Sequence, residues 1–225
     1  MEFTKETVAK YFDHTLLKAF ATKEDVTKLC NEAKEIHSYS VCVNPTYVSL
    51  CKELLAGTDV KVCSVIDFPL GSSDIESKAF ETKKTIDNGA LEVDYVLNVG
   101  RVKDHDFAYI KEEMATLTKI AHDNGAGIKV ILETCYLSKE EIKECALIAK
   151  EVKPDFIKTS TGFGTNGATI EDVKLMSETV GGLVKVKASG GIRTWESCQS
   201  MIEAGANRIG VSASLNILKE FIESK

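Results

Sequence analysis

The chain has 225 residues, and its 28 Lys and Arg against 34 Asp and Glu give a formal net charge of −6 at pH 7. With 44% hydrophobic and 28% charged residues, the composition is that of a globular protein and excludes disorder as the main state. The acidic balance argues against nucleic-acid or anionic-membrane partners, which need a basic surface. No apolar run approaches the ~18 residues of a membrane span and no secretory signal is visible, so we expect a cytoplasmic protein.

Short β-branched runs alternate with amphipathic stretches along the whole chain. The predicted strands cover residues 12–17, 40–43, 61–67, 92–98, 128–133, 156–159, 183–189 and 208–212. Four of the helices between them begin with recognisable start signals, at Thr22, Asn44-Pro45, Ser138 and Thr169. Eight units of about 28 residues predict a single-domain TIM (β/α)8 barrel over residues 1–225, with a short additional helix at the amino terminus. An open doubly wound α/β sheet is the alternative.

The cysteines and histidines give no sign of a metal centre. Seven cysteines are scattered without a CxxC pair, and the four histidines are isolated from one another. Reduced and mostly buried thiols are therefore expected, rather than a disulfide framework or a zinc site. The sequence predicts neither a metal nor a cofactor.

Charged residues fall on alternate positions of several predicted strands. Glu92 and Asp94 share one strand face, and Lys185 and Lys187 share another, while the residues between them are apolar. Successive side chains of a strand point to opposite faces, so apolar faces that pack on helices leave the charged faces in the barrel lumen. Charges in a lumen form either a structural ion network or an active site, and both can hold at once.

Position along each strand divides these charges into two groups. The members at the strand starts are expected to pair structurally: Glu92, Lys129 and Lys185. The members nearer the carboxyl ends lie where barrel enzymes carry their chemistry: Asp94, Lys158 and Lys187.

The segment after the sixth predicted strand contains Gly162-x-Gly164-x-x-Gly167, formally a dinucleotide-binding fingerprint. That reading requires an acid about 20 residues further on for the ribose hydroxyl. The sequence has Lys185-Val-Lys187 there, so we reject it. The glycines instead indicate a loop whose backbone N–H groups can approach an anion, with a plain flexible connection as the alternative.

Two further loops of small residues follow the seventh and eighth strands. They contain Gly190 and Gly191 in one case and Gly210, Ser212 and Ala213 in the other. Loops at these places, together with a helix N-terminus, are the usual phosphate site of barrel enzymes. Each loop alone could equally be an ordinary turn, but their joint placement favours a phosphorylated substrate.

Lys158 and Lys187 are predicted at matching heights on neighbouring strands. A lysine held beside a second ammonium loses part of its proton affinity, so a fraction becomes a nucleophilic amine at neutral pH. Asp94 faces the same lumen and could balance the charge or move protons. An amine, a second ammonium and a carboxylate beneath a phosphate site indicate Schiff-base chemistry.

The chain closely resembles the deoxyribose-phosphate aldolase family, class I aldolases on a TIM barrel, over nearly all of its length. The matching segments are DHTLLK (13–18), VCVNP (41–45), VIDFPLG (65–71), EVDYVLNVG (92–100), KTSTGFG (158–164), VKASGGIR (186–193) and RIGVS (208–212). The resemblance implies that Lys158 is the Schiff-base lysine, Lys187 the lysine that perturbs it, and Asp94 the proton-transfer carboxylate. It also implies a set of substrate- and phosphate-binding residues: Cys42, Thr161, Gly162, Phe163, Gly190, Gly191, Gly210, Ser212 and Ala213.

The activity implied by the resemblance is reversible cleavage of 2-deoxy-D-ribose 5-phosphate to D-glyceraldehyde 3-phosphate and acetaldehyde. The expected partners are therefore small molecules. Another Schiff-base sugar-phosphate aldolase, or a non-catalytic phosphosugar-binding barrel, are the alternatives. Ala19, Val211 and Ser214 depart from the family's usual Pro, Thr and Gly, which should reduce phosphate affinity without abolishing binding. The sequence leaves open whether the chain forms a homo-oligomer and which group protonates the enamine.

Overall fold

The computed structural model describes residues 3–224. Its eight strands pair in parallel in chain order, and the last pairs with the first, so the sheet closes into a barrel. Closure confirms the predicted (β/α)8 architecture and contradicts the open sheet. Within this part of the chain, no helix combines the length and the apolar character that a membrane span requires.

The strands and helices alternate regularly around the barrel. The strands are β1 (Phe12–Leu16), β2 (Ser40–Val43), β3 (Lys61–Ile66), β4 (Glu92–Val96), β5 (Gly127–Ile131), β6 (Phe156–Lys158), β7 (Lys185–Ser189) and β8 (Arg208–Val211). The helices are α1 (Lys5–Ala9), α2 (Lys23–Ile36), α3 (Val48–Leu54), α4 (Ile75–Asp87), α5 (Val99–Lys103), α6 (Phe107–Asp123), α7 (Lys139–Val152), α8 (Ile170–Val180), α9 (Trp195–Glu203) and α10 (Ser214–Glu223). Single 3-10 turns lie at Pro45–Tyr47 and Thr134–Tyr136.

Most predicted strands are one or two residues too long at their carboxyl ends. Asp67 leaves β3 because its φ of 46° cannot continue an extended strand. Asn98 turns away from β4 and caps α5 by accepting a hydrogen bond from the Arg101 amide. At the opposite end, Leu183 is outside β7 because its amide bonds the Val180 carbonyl in the preceding turn.

Three of the four predicted helix starts are confirmed as side-chain caps. Thr22 and Ser138 form capping boxes with Asp25 and Glu141, and Thr169 accepts from the third amide of α8. The prediction at Asn44 is wrong in detail, because this side chain makes no capping bond. A 3-10 turn closed by the Tyr47 amide on the Asn44 carbonyl comes first, and the α-helix follows it.

The predicted amino-terminal helix is α1, a single capped turn. Thr4 and Thr7 form its capping box, and Val8 and Ala9 are buried. The helix packs against α10, which lies between β8 and the chain terminus.

Two different environments lie on the two sides of the barrel wall. Outward-facing strand residues such as Val41, Val93 and Ile157 join the hydrophobic core between the strands and the helices. Inward-facing residues at alternate positions, including Asp13, Asp94 and Lys187, are polar and equally buried. The hydrophobic layer contributes about 1.5–3 kcal/mol per fully buried aliphatic side chain, and this stability supports a charged lumen.

Candidate active site

The Asp94 carboxylate lies at the centre of the charged lumen, near the carboxyl ends of the strands. One of its oxygens, Oδ2, accepts hydrogen bonds from Lys158 Nζ at 2.9 Å and from Lys187 Nζ at 2.7 Å. The other oxygen, Oδ1, accepts from Lys129 Nζ at 2.9 Å. Three ammonium groups from three different strands therefore converge on a single fully buried carboxylate.

Strand register places the two predicted catalytic lysines side by side. Lys158 on β6 and Lys187 on β7 are direct partners in the parallel ladder, as the sequence predicted. Both side chains point into the lumen and share the same oxygen of Asp94. The structure thus brings together all three residues expected to carry the chemistry.

A second carboxylate, Asp13 on β1, was not among the predicted site residues. Its Oδ2 lies 2.5 Å from Lys187 Nζ, so Lys187 is held between Asp13 and Asp94. Its Oδ1 accepts hydrogen bonds from Ser40 and from Arg208 Nη1. The signal in the sequence was its alternation with Thr15 on a predicted strand, but one charge on a short strand does not by itself indicate a lumen position.

The ion pairs fix the charges of these groups. Burial disfavours the charged form of Asp94, but Lys129, Lys158 and Lys187 outweigh burial and hold the pKa of this carboxyl well below its ordinary value. Burial likewise acts against the charged form of Lys187, yet Asp13 and Asp94 raise the pKa of its ammonium above the ordinary value. Lys187 therefore stays protonated and Asp94 stays ionised across the physiological range.

The strand-start charges behave differently from one another. Lys129 pairs with Glu92 at 2.5 Å, as expected for a structural pair, but it also contacts Asp94. Arg208 reaches Glu92 at 3.1 Å. The structural pairing predicted for Lys185 is wrong: it is the first residue of β7, its side chain is exposed, and within residues 3–224 it has no carboxylate partner.

A cavity of about 200 Å³ opens above Lys158 at the carboxyl ends of β1, β6, β7 and β8. The predicted residues that line it are Lys158, Thr161, Gly162, Gly190, Gly191, Gly210 and Ser212. Thr15, Leu17, Ser189, Ile192, Arg193 and Val211 complete the wall. The three glycine-containing loops thus converge on one cavity, with the Lys158 amino group on its lower side.

Close backbone approach explains two of these glycines. Gly190 has a φ of 86°, and a Cβ there would meet the Gly167 Cα at 3.0 Å. A Cβ at Gly210 would lie 3.0 Å from Lys187 Cε and 2.9 Å from Ser189 Cβ. Glycine at these positions lets the loops pack together and leaves Lys187 room to reach the lumen.

The first turn of α10 is left open towards this cavity. Among the described helices of eight residues or more, α2, α4, α6, α7, α8 and α9 are each capped by a side chain, whereas the cap residue of α10, Ala213, supplies none. The Ser214 hydroxyl that follows is bonded to His14 Nδ1 at 2.9 Å. Uncapped amides at a helix N-terminus are ready donors for an anion.

Three predicted binding residues do not line the cavity directly. Cys42 is fully buried in a small apolar cluster of the lumen, beside Cys63. Phe163 lies in the loop after β6 with its ring half exposed, edge-on to Phe68 at 5.3 Å between centroids. Ala213 lies behind Ser212, so its contribution is limited to the backbone.

Glu133, which was not among the predicted site residues, holds the loop that follows Lys158. Its carboxylate accepts hydrogen bonds from both the amide and the hydroxyl of Thr161. It is buried, and its own φ of 53° is left-handed, an uncommon conformation for a non-glycine residue. The Thr161 donors are therefore occupied by Glu133, and Thr161 shapes the cavity through its position.

The lumen also brings together three groups of the kind that ligate metals. The ligand atoms of Cys42, Cys63 and Asp94 lie within 4.8 Å of one another. However, ammonium groups already surround Asp94, and Lys129 Nζ lies 3.5 Å from Cys63 Sγ. Three buried ammonium groups disfavour a divalent cation here, so the cluster does not fit a resident metal. Six of the seven cysteines are buried, as predicted.

Comparison with known proteins agrees with this geometry. The family model described as DeoC/LacD family aldolase matches residues 7–220. Proteins named deoxyribose-phosphate aldolase from Thermococcus gammatolerans and Lactobacillus acidophilus are 56% and 52% identical, over 94% and 96% of this chain and 95% and 92% of theirs. A tetrameric deoxyribose phosphate aldolase structure from Aeropyrum pernix superposes with a TM-score of 0.91 at 32% identity, covering 99% of this chain and 94% of that one. The chain belongs to the DeoC/LacD family of aldolases.

Proposed function

We propose that the chain is a deoxyribose-phosphate aldolase that cleaves 2-deoxy-D-ribose 5-phosphate through a Schiff base on Lys158. The observation that carries this proposal is the position of the Lys158 amino group. It lies at the lower side of the cavity into which all three glycine-containing loops open, and it shares one Asp94 oxygen with Lys187. The relatives named above bear the same activity in their names.

The charge pairing in the lumen distinguishes Lys158 from the other cations. Three buried carboxylates, Asp13, Glu92 and Asp94, face four cationic groups, Lys129, Lys158, Lys187 and Arg208. Unpaired charge is costly in a buried site. Lys158 contacts a single carboxylate and borders the open cavity, so it is the member of the network that a substrate carbonyl can reach.

The reaction follows from an amine at this position. Lys158 Nζ attacks carbon 1 of the open-chain sugar, and loss of water gives an iminium that withdraws electrons. Because acetaldehyde has two carbons, the bond that breaks joins carbons 2 and 3. Its electron pair forms the enamine as the 3-hydroxyl gives up its proton and becomes the aldehyde of glyceraldehyde 3-phosphate. Protonation of carbon 2 and hydrolysis of the imine then release acetaldehyde and the free amine.

Asp94 and Lys187 have complementary parts in these steps. The low pKa of Asp94 makes it a weak base, so its main contribution is a permanent negative charge beside the iminium. Lys187 supplies an ammonium that keeps Asp94 ionised, while a water in the cavity lies between Lys158 and the 3-hydroxyl of the sugar in this proposal. The water carries the proton away from the hydroxyl and later returns one to the enamine.

The loops after β6, β7 and β8 bind the 5-phosphate in this proposal. Gly162, Gly190 and Gly191 expose their backbone to the cavity, and the uncapped first turn of α10 supplies further amides. Arg193 lines the same wall and provides the positive charge that a dianion needs. Binding at this end directs carbon 1 of the extended sugar towards Lys158.

Borohydride trapping tests the proposal. Reduction in the presence of deoxyribose 5-phosphate should add an adduct to Lys158, located by peptide mass spectrometry, and acetaldehyde should be released without borohydride. Lys158→Ala should lose both adduct and turnover while retaining the far-ultraviolet circular dichroism of the parent. An adduct on a different lysine would contradict the assignment. Release of aldehyde only from a different sugar phosphate would retain the imine but change the substrate.

A further inference from the structure

The opposite end of the barrel carries a second cavity that the aldolase reaction does not use. It has a volume of about 320 Å³ and lies at the amino-terminal ends of the strands. Its lining is Thr7, Lys10, Tyr11, Tyr39, Phe156, Lys185, Asn207 and Arg208. Three of these residues are cationic and none is acidic, although the chain as a whole has a net charge of −6.

Arg208 forms the floor of this cavity, and only one of its three guanidinium nitrogens bonds a carboxylate. Its residue is 4% exposed, and its Nη1 is the nitrogen that bonds carboxylates, Asp13 at 2.8 Å and Glu92 at 3.1 Å. Among residues 3–224, Nη2 and Nε donate to no protein acceptor, and neither atom is sealed from solvent. An arginine that is nine-tenths buried and presents three unused N–H donors, on two nitrogens, to a cavity is well suited to bind an oxyanion.

Aromatic rings hold the guanidinium in place. Arg208 Cζ lies 3.3 Å from the centroid of the Tyr39 ring and 5.0 Å from that of Phe156. Lys61 fixes the Tyr39 hydroxyl with a 2.9 Å hydrogen bond. Stacking on these rings restricts the arginine before any ligand arrives, so little conformational entropy is lost on binding.

The two lysines of the rim complete the charge. Lys185 is exposed and has no carboxylate partner within residues 3–224; its Nζ lies 5.6 Å from the Phe156 ring centroid. Lys10 is half exposed and is paired with Asp59 at 2.6 Å. Lys185 is therefore free to contribute its full charge, and Lys10 a part of its charge, to an anion seated over Arg208.

We propose that this cavity is a second oxyanion site, which binds a phosphate group, free or as a monoester, through Arg208 and Lys185. The site is separate from the sugar-phosphate cavity because it opens at the other end of the barrel.

The same arginine connects this cavity to the catalytic lysines. Arg208 Nη1 holds Asp13, and Asp13 in turn contacts Lys187 Nζ at 2.5 Å. An anion bound at Nη2 and Nε shares the positive charge of the guanidinium with Asp13 and Glu92, which are bonded to Nη1. Occupancy of the lower cavity should therefore weaken the hold of Arg208 on Asp13 and change the charge balance around Lys187, which predicts an effect on kcat.

Calorimetric titration with inorganic phosphate, at constant ionic strength and up to about 10 mM, tests binding independently of the reaction. Ser212→Glu places a carboxylate at the mouth of the sugar-phosphate cavity and leaves the lower cavity intact. This variant should still bind phosphate.

Adding Lys185→Glu to Ser212→Glu should weaken phosphate binding at least tenfold. Adding Lys174→Glu instead, the same charge change at an exposed position of α8, should not. Phenyl phosphate that binds more tightly than inorganic phosphate identifies a monoester as the ligand.

A Ser212→Glu protein that binds no phosphate, or one whose binding is insensitive to Lys185→Glu, overturns the second site. Loss of binding in Lys185→Glu alone, with none lost in Ser212→Glu, would count against the phosphate role given to the upper loops and would support the lower site. The two proposals therefore fail separately.

The link to kcat rests on the proposed function and has its own measurement. In the wild type, phosphate should raise KM by competing with substrate and also lower kcat. In Lys185→Glu the kcat effect should disappear and the competitive effect should persist. Purely competitive inhibition in both proteins would overturn the coupling.

Discussion

Lys158 and Lys187 are paired residues of adjacent parallel strands, and their amino groups contact the same oxygen of Asp94, at 2.9 Å and 2.7 Å. Their equivalence ends there. Lys187 has a second carboxylate, Asp13, and is closed off from the cavity, whereas Lys158 has Asp94 alone and borders the cavity. This difference in partners is the reason for proposing that Lys158, rather than Lys187, acts as the amine.

Lys187→Ala should therefore lower kcat by about 10²- to 10⁴-fold, the usual range for loss of a proton-transfer or charge-stabilising group. Acetaldehyde release measured at saturating deoxyribose 5-phosphate checks this. Lys174→Ala removes an exposed lysine of α8 and should leave kcat unchanged. A kcat within threefold of wild type in Lys187→Ala would show that Lys158 works without its neighbour.

Asp94→Asn should destabilise the protein by about 3–5 kcal/mol at pH 7, because it leaves buried ammonium groups without their carboxylate. The pKa of Asp94 lies below its ordinary value in the folded state. Its contribution is therefore complete above about pH 5 and declines as pH falls through the folded pKa. The difference in unfolding free energy between wild type and variant should narrow from pH 7 to pH 3.

Urea denaturation across that pH range measures the difference. Asp104→Asn, at an exposed carboxylate, is the matched control and should run parallel to the wild type. A difference in unfolding free energy between wild type and Asp94→Asn that stays constant with pH would contradict the low pKa of Asp94.

Gly210→Ala should reduce activity at least tenfold by displacing Lys187. The added methyl would lie 3.0 Å from Lys187 Cε and 2.9 Å from Ser189 Cβ, closer than such atoms normally pack. Gly100→Ala adds the same methyl where the nearest heavy atom is 3.4 Å away and should be active. Crystal structures of both variants would show whether Lys187 moves, and an unmoved Lys187 with full activity would refute the steric argument.

Glu133→Gln should raise KM about fivefold and change kcat less. The carboxylate holds the Thr161 amide and hydroxyl and so fixes the loop that carries Gly162. A neutral amide accepts these bonds more weakly than a charged group, by about 1 kcal/mol. Steady-state kinetics on Glu133→Gln measure this rise in KM. The exposed control Glu151→Gln should keep the KM of the wild type. An unchanged KM in Glu133→Gln would show that the loop keeps its shape without this charge.

Thiol labelling of the native protein should proceed rapidly at one cysteine, Cys135. The other six cysteines are buried, and burial raises the pKa of Cys145 and of Cys198 to about 12, so these thiols stay protonated and unreactive. Reaction with a disulfide reagent at pH 8 should show one fast equivalent, which Cys135→Ser removes. Two or more fast equivalents in native buffer would contradict the burial of the other six cysteines.

The barrel and the convergence of Asp94, Lys158 and Lys187 were predictable because both depend on local patterns. Alternate side chains of a strand point to the same face, so Glu92 lies on one face with Asp94, and Lys185 with Lys187, independently of the rest of the chain. The distance along a strand then separates Lys187, near the carboxyl end, from Lys185, which the structure leaves exposed at the start of β7. The glycine-containing loops were also predictable from local sequence, because glycines directly after a strand indicate a backbone that packs closely against another segment or a ligand.

Partners that depend on barrel closure were not predictable. Asp13 contacts Lys187 only because β1 and β8 pair and close the sheet, whereas Glu133 reaches Thr161 because β5 and β6 are neighbours and their loops leave side by side. Which lysine has two carboxylates and which has one also depends on that closure. The sequence by itself determined the alternation that puts charge in the lumen and small residues at its mouth, because those properties belong to single strands and turns. Only the tertiary structure decided which charges meet, because ion pairing depends on distances between segments that are remote along the chain.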